Sequence, residues 1–396
     1  MRTDALTHFD HHPRTRLVFG AGKVEQVGTL AAELGGRAVL LVTDPGIVTA
    51  GHAARVEHFL QEKGLGVVLY DQVRENPTTR DVDACVKVAR AAGIDMIVGL
   101  GGGSSMDTAK GCNLLLTNGG QMKDYWGVGR ASKPMLPLLA IPTTAGTGSE
   151  CQSAALIADE STHQKMACLD PKVAARVAIL DPTLTVSQPP RVTACTGIDA
   201  IAHAVETAVT RKRNPLSTLY ARESFRLTVG SFARVLEDPL DIEARGRMLL
   251  GAAFAGIAIE NSMLGAAHSA ANPLTAHFDI IHGQAAGMML PAVVRFNAAD
   301  PGALLAYADL AAGVPLGGAA DGPETACDAL VRQLEMLLDR AGMPRSLAGC
   351  GVPRSAIPML AEEAAKQWTA GFNPRKVAVT DFAKLYEAAF EPRGEG

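Results

Sequence analysis

Between about residues 15 and 185, short β-branched runs alternate with helical patterns; past residue 190 the strand signals disappear. That change of rhythm constrains the fold more than any single motif. Arg37–Thr43, Gly66–Tyr70, Asp95–Leu100 and Pro137–Ile141 read as buried strands, and segments 47–63, 79–92 and 104–117 read as the helices between them. Strands separated by helices predict a parallel sheet covered on both faces, a Rossmann-like α/β domain. Ala- and Leu-rich segments at 191–210, 214–236 and 241–263 predict an all-α domain after it. Pro189-Pro190 supplies the stop. Residues 1–187 are therefore expected to form the α/β domain and 188–396 the helical one.

Charge and cysteine usage narrow the function classes. Thirty-seven basic and 41 acidic residues leave a net charge of −4, with no long basic run. Nucleic acid and anionic membrane are poor partners for such a surface. The seven cysteines form no C-x-x-C pair, which fits a reducing compartment better than a disulfide framework. No uninterrupted apolar stretch of about 18 residues appears, so no membrane span is expected. The start of the chain also lacks an apolar signal core. The expectation is a cytoplasmic globular enzyme. His8, His11 and His12 offer adventitious metal contacts, or simply a frayed terminus.

Ligands of parallel sheets bind at the carboxyl ends of the strands. Asp44 follows the first strong strand, where dinucleotide folds place the acid that holds the adenosine ribose; there it would repel a 2′-phosphate and favour NAD over NADP. It reads equally well as the turn residue of Thr-Asp-Pro-Gly. Gly101-Gly-Gly-Ser104 lies between a strand and a helix, followed by Asp107 and Lys110. Three glycines let a backbone approach a pyrophosphate at a helix N-terminus. Ser104 and Asp107 also fit a capping box. The glycine triplet carries a backbone-entropy cost that capping does not explain, which favours the phosphate. Gly20-Ala-Gly22-Lys-Val-Glu25 imitates the start of G-x-G-x-x-G, but Glu25 holds the third position and a turn is expected. Pro142-Thr-Thr-Ala-Gly-Thr147 clusters hydroxyls suited to the ribose and nicotinamide end of a cofactor, or to a polar loop.

In the helical half, Asp199 and His203 stand four residues apart in an apolar helix, on one face and a turn apart. A divalent metal would satisfy both, and so would an Asp–His hydrogen bond. His268 and His282 would be separated by roughly 21 Å on a continuous helix. They converge on one ion only if the chain turns between them, and Asn272-Pro273 is the expected breaker.

Taken together, Gly101–Ser104, Pro142–Thr147, Leu180-Asp-Pro182, Pro189-Pro190, Gly197-Ile-Asp199 with His203, His268, and His282-Gly283 followed by Leu290-Pro291 resemble the iron-dependent (group III) alcohol dehydrogenase family. The likeness runs along nearly the whole chain. It implies an N-terminal dinucleotide-binding domain, a dehydroquinate synthase-like helical domain, and a catalytic metal in the cleft between them. Carried over by position, the metal ligands are Asp199, His203, His268 and His282, with His268 and His282 at the catalytic centre. Asp44, Gly102, Gly103, Ser104, Asp107, Thr143, Thr144 and Lys165 fall where the family contacts NAD. The family also implies Fe²⁺, with Zn²⁺ as the alternative since imidazole and carboxylate suit both ions. The metal is expected to act as a Lewis acid on the substrate oxygen while hydride passes between a primary alcohol or aldehyde and the nicotinamide. A homodimer is expected by analogy.

One position departs from the pattern. Where many members carry a histidine four residues after the third ligand, this chain has Asn272, which cannot act as a base. His277 is the nearby candidate to replace it, or an ordinary loop histidine. Sister activities on the same scaffold remain open: a polyol or hydroxyacid dehydrogenase, a maleylacetate-type reductase, or a dehydroquinate-synthase-like lyase. A non-catalytic metal-bound assembly protein is the remaining alternative.

Overall fold

The computed structural model describes residues 9–162 and 164–391, so His8 lies outside the described residues. The chain divides into two compact units: His12–Gln188, and a unit built from Pro189 onward that also takes in His11.

The first unit runs β1 (Arg16–Phe19), α1 (Val27–Glu33), β2 (Ala38–Val42), α2 (Pro45–Thr49), α3 (His52–Gln61), β3 (Gly66–Tyr70), α4 (Thr79–Ala92), β4 (Met96–Gly101) and α5 (Gly103–Asn118). It continues through β5 (Gly127–Val128), β6 (Leu138–Pro142), β7 (Ala154–Ala158), β8 (Lys165–Leu169) and β9 (Val177–Leu180). Six strands form one sheet in the order β1-β9-β6-β4-β2-β3, and every pairing in it is parallel. Helices cover both faces, which is why the central strands are apolar at consecutive positions rather than alternate ones. Leu40, Val42, Ile97 and Ala140 pack with Met106 and Ala109 on one side. Val39, Leu41, Met96, Val98 and Ile141 pack with Val27, Val56 and Leu60 on the other. Burying each large aliphatic side chain contributes roughly 1.5–3 kcal/mol. The register Leu40↔Ile97 and Val98↔Leu139 keeps the two sets apart, and a slip of one residue would exchange them.

The four expected strands and the α4 and α5 helices are present. Three features differ. The helix expected at 47–63 is two helices, because Gly51 between them adopts a left-handed φ of 80°. The sheet extends by β9 and β1, and a second sheet of order β5-β8-β7 packs beside α5. These strands have two to five residues, too few for a periodic signal to develop. Finally, α5 begins at Gly103 with Gly102 as its N-cap, so Ser104 caps nothing.

The second unit holds α6 (Pro190–Thr207), α7 (Pro215–Glu237), α8 (Ile242–Asn261), α9 (Ala266–Phe278), α10 (His282–Asn297), α11 (Pro301–Ala312), α12 (Pro323–Arg340), α13 (Ile357–Lys366) and α14 (Val379–Ala388). Its first three helices lie within a few residues of the expected spans. The expected break at Asn272-Pro273 does not occur: Pro273 is inside α9, and the chain turns at Asp279, which takes the left-handed φ of 53°. No single helix among the described residues is long and apolar enough to cross a membrane.

Candidate functional site

The helical unit gathers its chemistry around α6. Asp199 and His203 occupy one face of this helix, and both are buried. His203 Nε2 lies 3.6 Å from Asp199 Oδ1, and His268 Nε2 approaches the same oxygen at 3.4 Å. The His203 and His268 rings stack with centroids 4.7 Å apart, and His282 stands 5.3 Å from His268. Donor atoms of Asp199, His268 and His282 all lie within 4.8 Å of one another, with His203 bordering the group. The turn at Asp279 therefore achieves what a continuous helix could not.

A backbone feature sets this convergence. Gly283 follows His282 where α10 crosses α6, and a Cβ there would stand 2.1 Å from the Cys195 carbonyl oxygen and 2.9 Å from Asp199 Cβ. Only glycine permits the approach that brings His282 beside Asp199.

The cluster is electrically unfinished by itself. Asp199 Oδ1 and His268 Nε2 are buried and neither has a hydrogen-bond partner. Leaving such an atom unsatisfied costs about 1–3 kcal/mol. Burial pushes the Asp199 carboxyl upward, but His203, then His268 and His282, outweigh it and hold the group below the usual carboxylate range. Burial lowers His268, yet Asp199 and Glu206 together raise it to about 9. A divalent cation would satisfy the Asp199 oxygen and the His268 nitrogen at once. The 4.8 Å spread is close to the roughly 4 Å separating two ligands of one ion at bond lengths near 2 Å.

Glu206 belongs to this assembly and was not among the expected site residues. Its Oε2 lies 2.5 Å from His268 Nδ1, and its Oε1 accepts from the Ala267 N–H at 2.7 Å. The signal was in the sequence: Asp199, His203 and Glu206 follow one another at intervals of four and three on a helix otherwise built of Ala, Ile and Val. Asn272 donates to Gln367 Oε1 at 3.0 Å. His277 pairs with Glu363 at the surface, nine residues or roughly 13 Å of helix beyond His268, so it does not replace the family's histidine beside the cluster. His11 bonds Asn261 at 3.0 Å.

In the α/β unit, Asp44, Gly102, Gly103, Ser104, Thr143 and Thr144 collect at the carboxyl ends of the neighbouring parallel strands β2, β4 and β6, whereas Asp107 lies within α5 and Lys165 opens β8 of the second sheet. Asp44 follows β2 and caps α2, accepting from Ile47 N–H at 3.1 Å; its other oxygen lies 3.5 Å from Ser105 Oγ. Gly101 ends β4 with a φ of 141°, and a Cβ there would stand 2.4 Å from Ser105 Oγ. Gly102 faces Thr144 and Gly103 faces Thr147, so the glycine and threonine loops pack against each other. No side chain caps α5, which leaves its N-terminus to the backbone and the helix dipole. Ser104 Oγ instead accepts from Asn76 N–H at 3.2 Å.

Thr143 is buried, and its N–H donates to Gly101 O. Asp107 turns away from Ser104 and accepts from Ser149 Oγ at 3.2 Å. Burial raises its carboxyl, with Lys110 and Lys165 opposing. Lys110, wholly buried, donates to the carbonyls of Ser149, Gln152 and Ala154 and so clamps the threonine loop to α5. Lys165 is exposed at the start of β8. Gly20 and Gly22, with φ of 139° and 75°, form the turn expected of them.

The profile described as iron-containing alcohol dehydrogenase matches residues 13–182, and that of the Fe-containing alcohol dehydrogenase family, C-terminal, matches residues 193–390. The chain is 34% identical over 388 residues to the NAD-dependent methanol dehydrogenase of Bacillus methanolicus, covering 97% of this chain and 100% of that one. It is 34% identical to alcohol dehydrogenase 4 of Saccharomyces cerevisiae (strain YJM789), covering 94% and 96% respectively. A solved 1,3-propanediol oxidoreductase superposes with a TM-score of 0.93 at 31% identity, over 97% of this chain and all of that one. With both profiles and full-length relatives in agreement, the chain belongs to the iron-containing alcohol dehydrogenase family.

Proposed function

We propose that this protein interconverts short primary alcohols and their aldehydes with NAD(H), with a divalent metal, Fe²⁺ before Zn²⁺, held by Asp199, His203, His268 and His282. The observation that carries the metal assignment is the pair of buried, unpartnered atoms, Asp199 Oδ1 and His268 Nε2, facing each other at 3.4 Å with His282 beside them. When bound, the ion supplies Lewis acidity toward an alcohol or carbonyl oxygen, and NAD supplies the hydride acceptor.

The chain's own residues do the rest. Asp199, His203 and His268 are fixed by burial, so three of the four ligands are preorganised, while His282 is half-buried. In the α/β unit, the glycine loop and the uncapped end of α5 receive the pyrophosphate through backbone N–H groups. Asp44 accepts from the adenosine ribose hydroxyls and repels a 2′-phosphate. Thr143 and Thr144 place hydroxyl-bearing backbone next to that loop, while Asp107 and Lys165 contribute opposite charges nearby. Asn272 has no titratable proton, so its side chain cannot carry the hydroxyl proton of the alcohol. A homodimer is expected and light scattering would show it.

The short-alcohol choice draws on the relatives named for methanol and 1,3-propanediol. The test is NADH oxidation by a panel of C1–C4 aldehydes before and after chelation. Loss of turnover on chelation, with recovery on adding Fe²⁺, is the expected result. Turnover indifferent to chelation would remove the metal from the reaction. Product formation with no net change in NADH would instead indicate the lyase reading.

A further inference from the structure

Helix α9 starts without a local cap. Its N-cap is Gly265, where a Cβ would come within 3.0 Å of both Glu206 Oε1 and Asn373 Oδ1. Side chains distant in sequence satisfy the first turn. Asn373 Oδ1 accepts from Ala266 N–H at 3.3 Å. Glu206 accepts from Ala267 N–H at 2.7 Å, from His268 N–H at 3.4 Å, and from His268 Nδ1 at 2.5 Å.

Because Glu206 offers only acceptors to these three groups, His268 Nδ1 must carry a proton. An arriving ion can therefore take a lone pair only at Nε2, displacing any proton there, and Nε2 is the atom that faces Asp199 Oδ1. Glu206 is itself carried by α6, seven residues beyond Asp199 and three beyond His203. One helix face therefore delivers two donors and the group that aims a third.

We propose that Glu206 is the positioning residue of the metal centre: it fixes the tautomer and ring orientation of His268 by accepting the Nδ1 proton, and so raises the affinity of the site for a divalent ion. This rests on the ligand assignment made above. Carboxylates hydrogen-bonded to ligating histidines orient the ring and increase its basicity, and their loss typically weakens metal binding about 10–100-fold. Gln at this position cannot serve both backbone N–H groups and the imidazole N–H as an acceptor. Its amide would donate to Nδ1 and move the imidazole proton to Nε2, the ligating atom.

The experiment measures Zn²⁺ affinity of the full chain by competition with a fluorescent chelator, alongside thermal unfolding of the metal-free protein. Glu206→Gln should weaken Zn²⁺ binding about 10–100-fold. Glu206→Asp, which keeps a carboxylate on a shorter stem, should recover part of that loss. If Glu206 were only a helix cap, both variants would unfold at lower temperature with unchanged Zn²⁺ affinity, and the proposal would fail. His268→Ala separates the two levels. Wild-type affinity in that variant overturns the ligand assignment itself; lost affinity there with unchanged affinity in Glu206→Gln overturns only the role of Glu206. Should Glu206→Gln not fold, long-range ¹⁵N spectra of the zinc-loaded wild type decide the matter. A protonated His268 Nδ1 supports the proposal, and a protonated Nε2 refutes it.

Discussion

Gly283→Ala tests the geometry of the metal site at its tightest point. The added methyl would lie 2.1 Å from the Cys195 carbonyl oxygen, more than 1 Å short of ordinary contact, and the obstacle is backbone rather than a yielding side chain. Helix α10 must therefore back away from α6 by about 1 Å, and overpacking of this kind typically costs about 1–3 kcal/mol. For a unit of this size that corresponds to a fall in Tm of about 2–12 °C. The larger effect should be functional. His282 is the neighbouring residue and moves with the helix, and a 1 Å misplacement can cost about 100-fold in rate. The assay is thermal unfolding of the metal-free variant, followed by Zn²⁺ affinity and kcat with a short aldehyde. The predicted signature is a modest stability loss with a disproportionate loss of metal affinity and turnover. A Gly283→Ala protein with wild-type affinity and rate would show that the α6–α10 approach does not position His282.

Two further predictions concern the α/β unit. Asp44→Ser keeps an N-cap oxygen for Ile47 N–H while removing the charge, so stability should hold and kcat/KM with NADPH should rise on the order of tenfold, equivalent to ~1.4 kcal/mol. Unchanged discrimination against NADPH would show that Asp44 is only a turn residue. Burial pushes the Glu150 carboxyl up to about 7, against opposing contributions from its own backbone and Lys110. Since the folded state then holds its proton more tightly than the unfolded state, its stability contribution is complete below pH 4.5 and is lost as pH rises through about 7. Glu150→Gln should therefore gain stability relative to wild type across that interval, on the order of 3 kcal/mol, read as a widening difference in Tm. A constant difference from pH 4.5 to 8 would contradict it.

Much of the fold was legible because its strands are buried on both faces and its helices are long. Arg37–Thr43 and Asp95–Leu100 announce central parallel strands by consecutive apolar residues. β1 and β9 carry only four residues each, and the β1 partner lies 161 residues further along at Arg16↔Val177, so no local window reveals the pair. The site was legible in part. Asp199 and His203 share a helix face, which spacing alone displays; their convergence with His268 and His282 depends on a turn whose position spacing assigns wrongly. Proline pointed to residues 272–273, yet the helix runs through Pro273, and Asp279 makes the turn. Ser104 and Asp107 fit a capping box by letter, but Asp107 is drawn to Ser149, across the loop that Lys110 clamps. Glu206 was overlooked because its role depends on the start of α9, 61 residues further along.

The most direct test of the account is a crystal of the full-length protein soaked anaerobically with Fe²⁺ or Zn²⁺, with anomalous diffraction recorded at the edge of the metal. The account predicts one strong peak per chain, within about 2.0–2.2 Å of an Asp199 oxygen and the nitrogens of His203, His268 and His282. Density at some other cluster, or none beside Asp199 in a protein that still turns over, would contradict it.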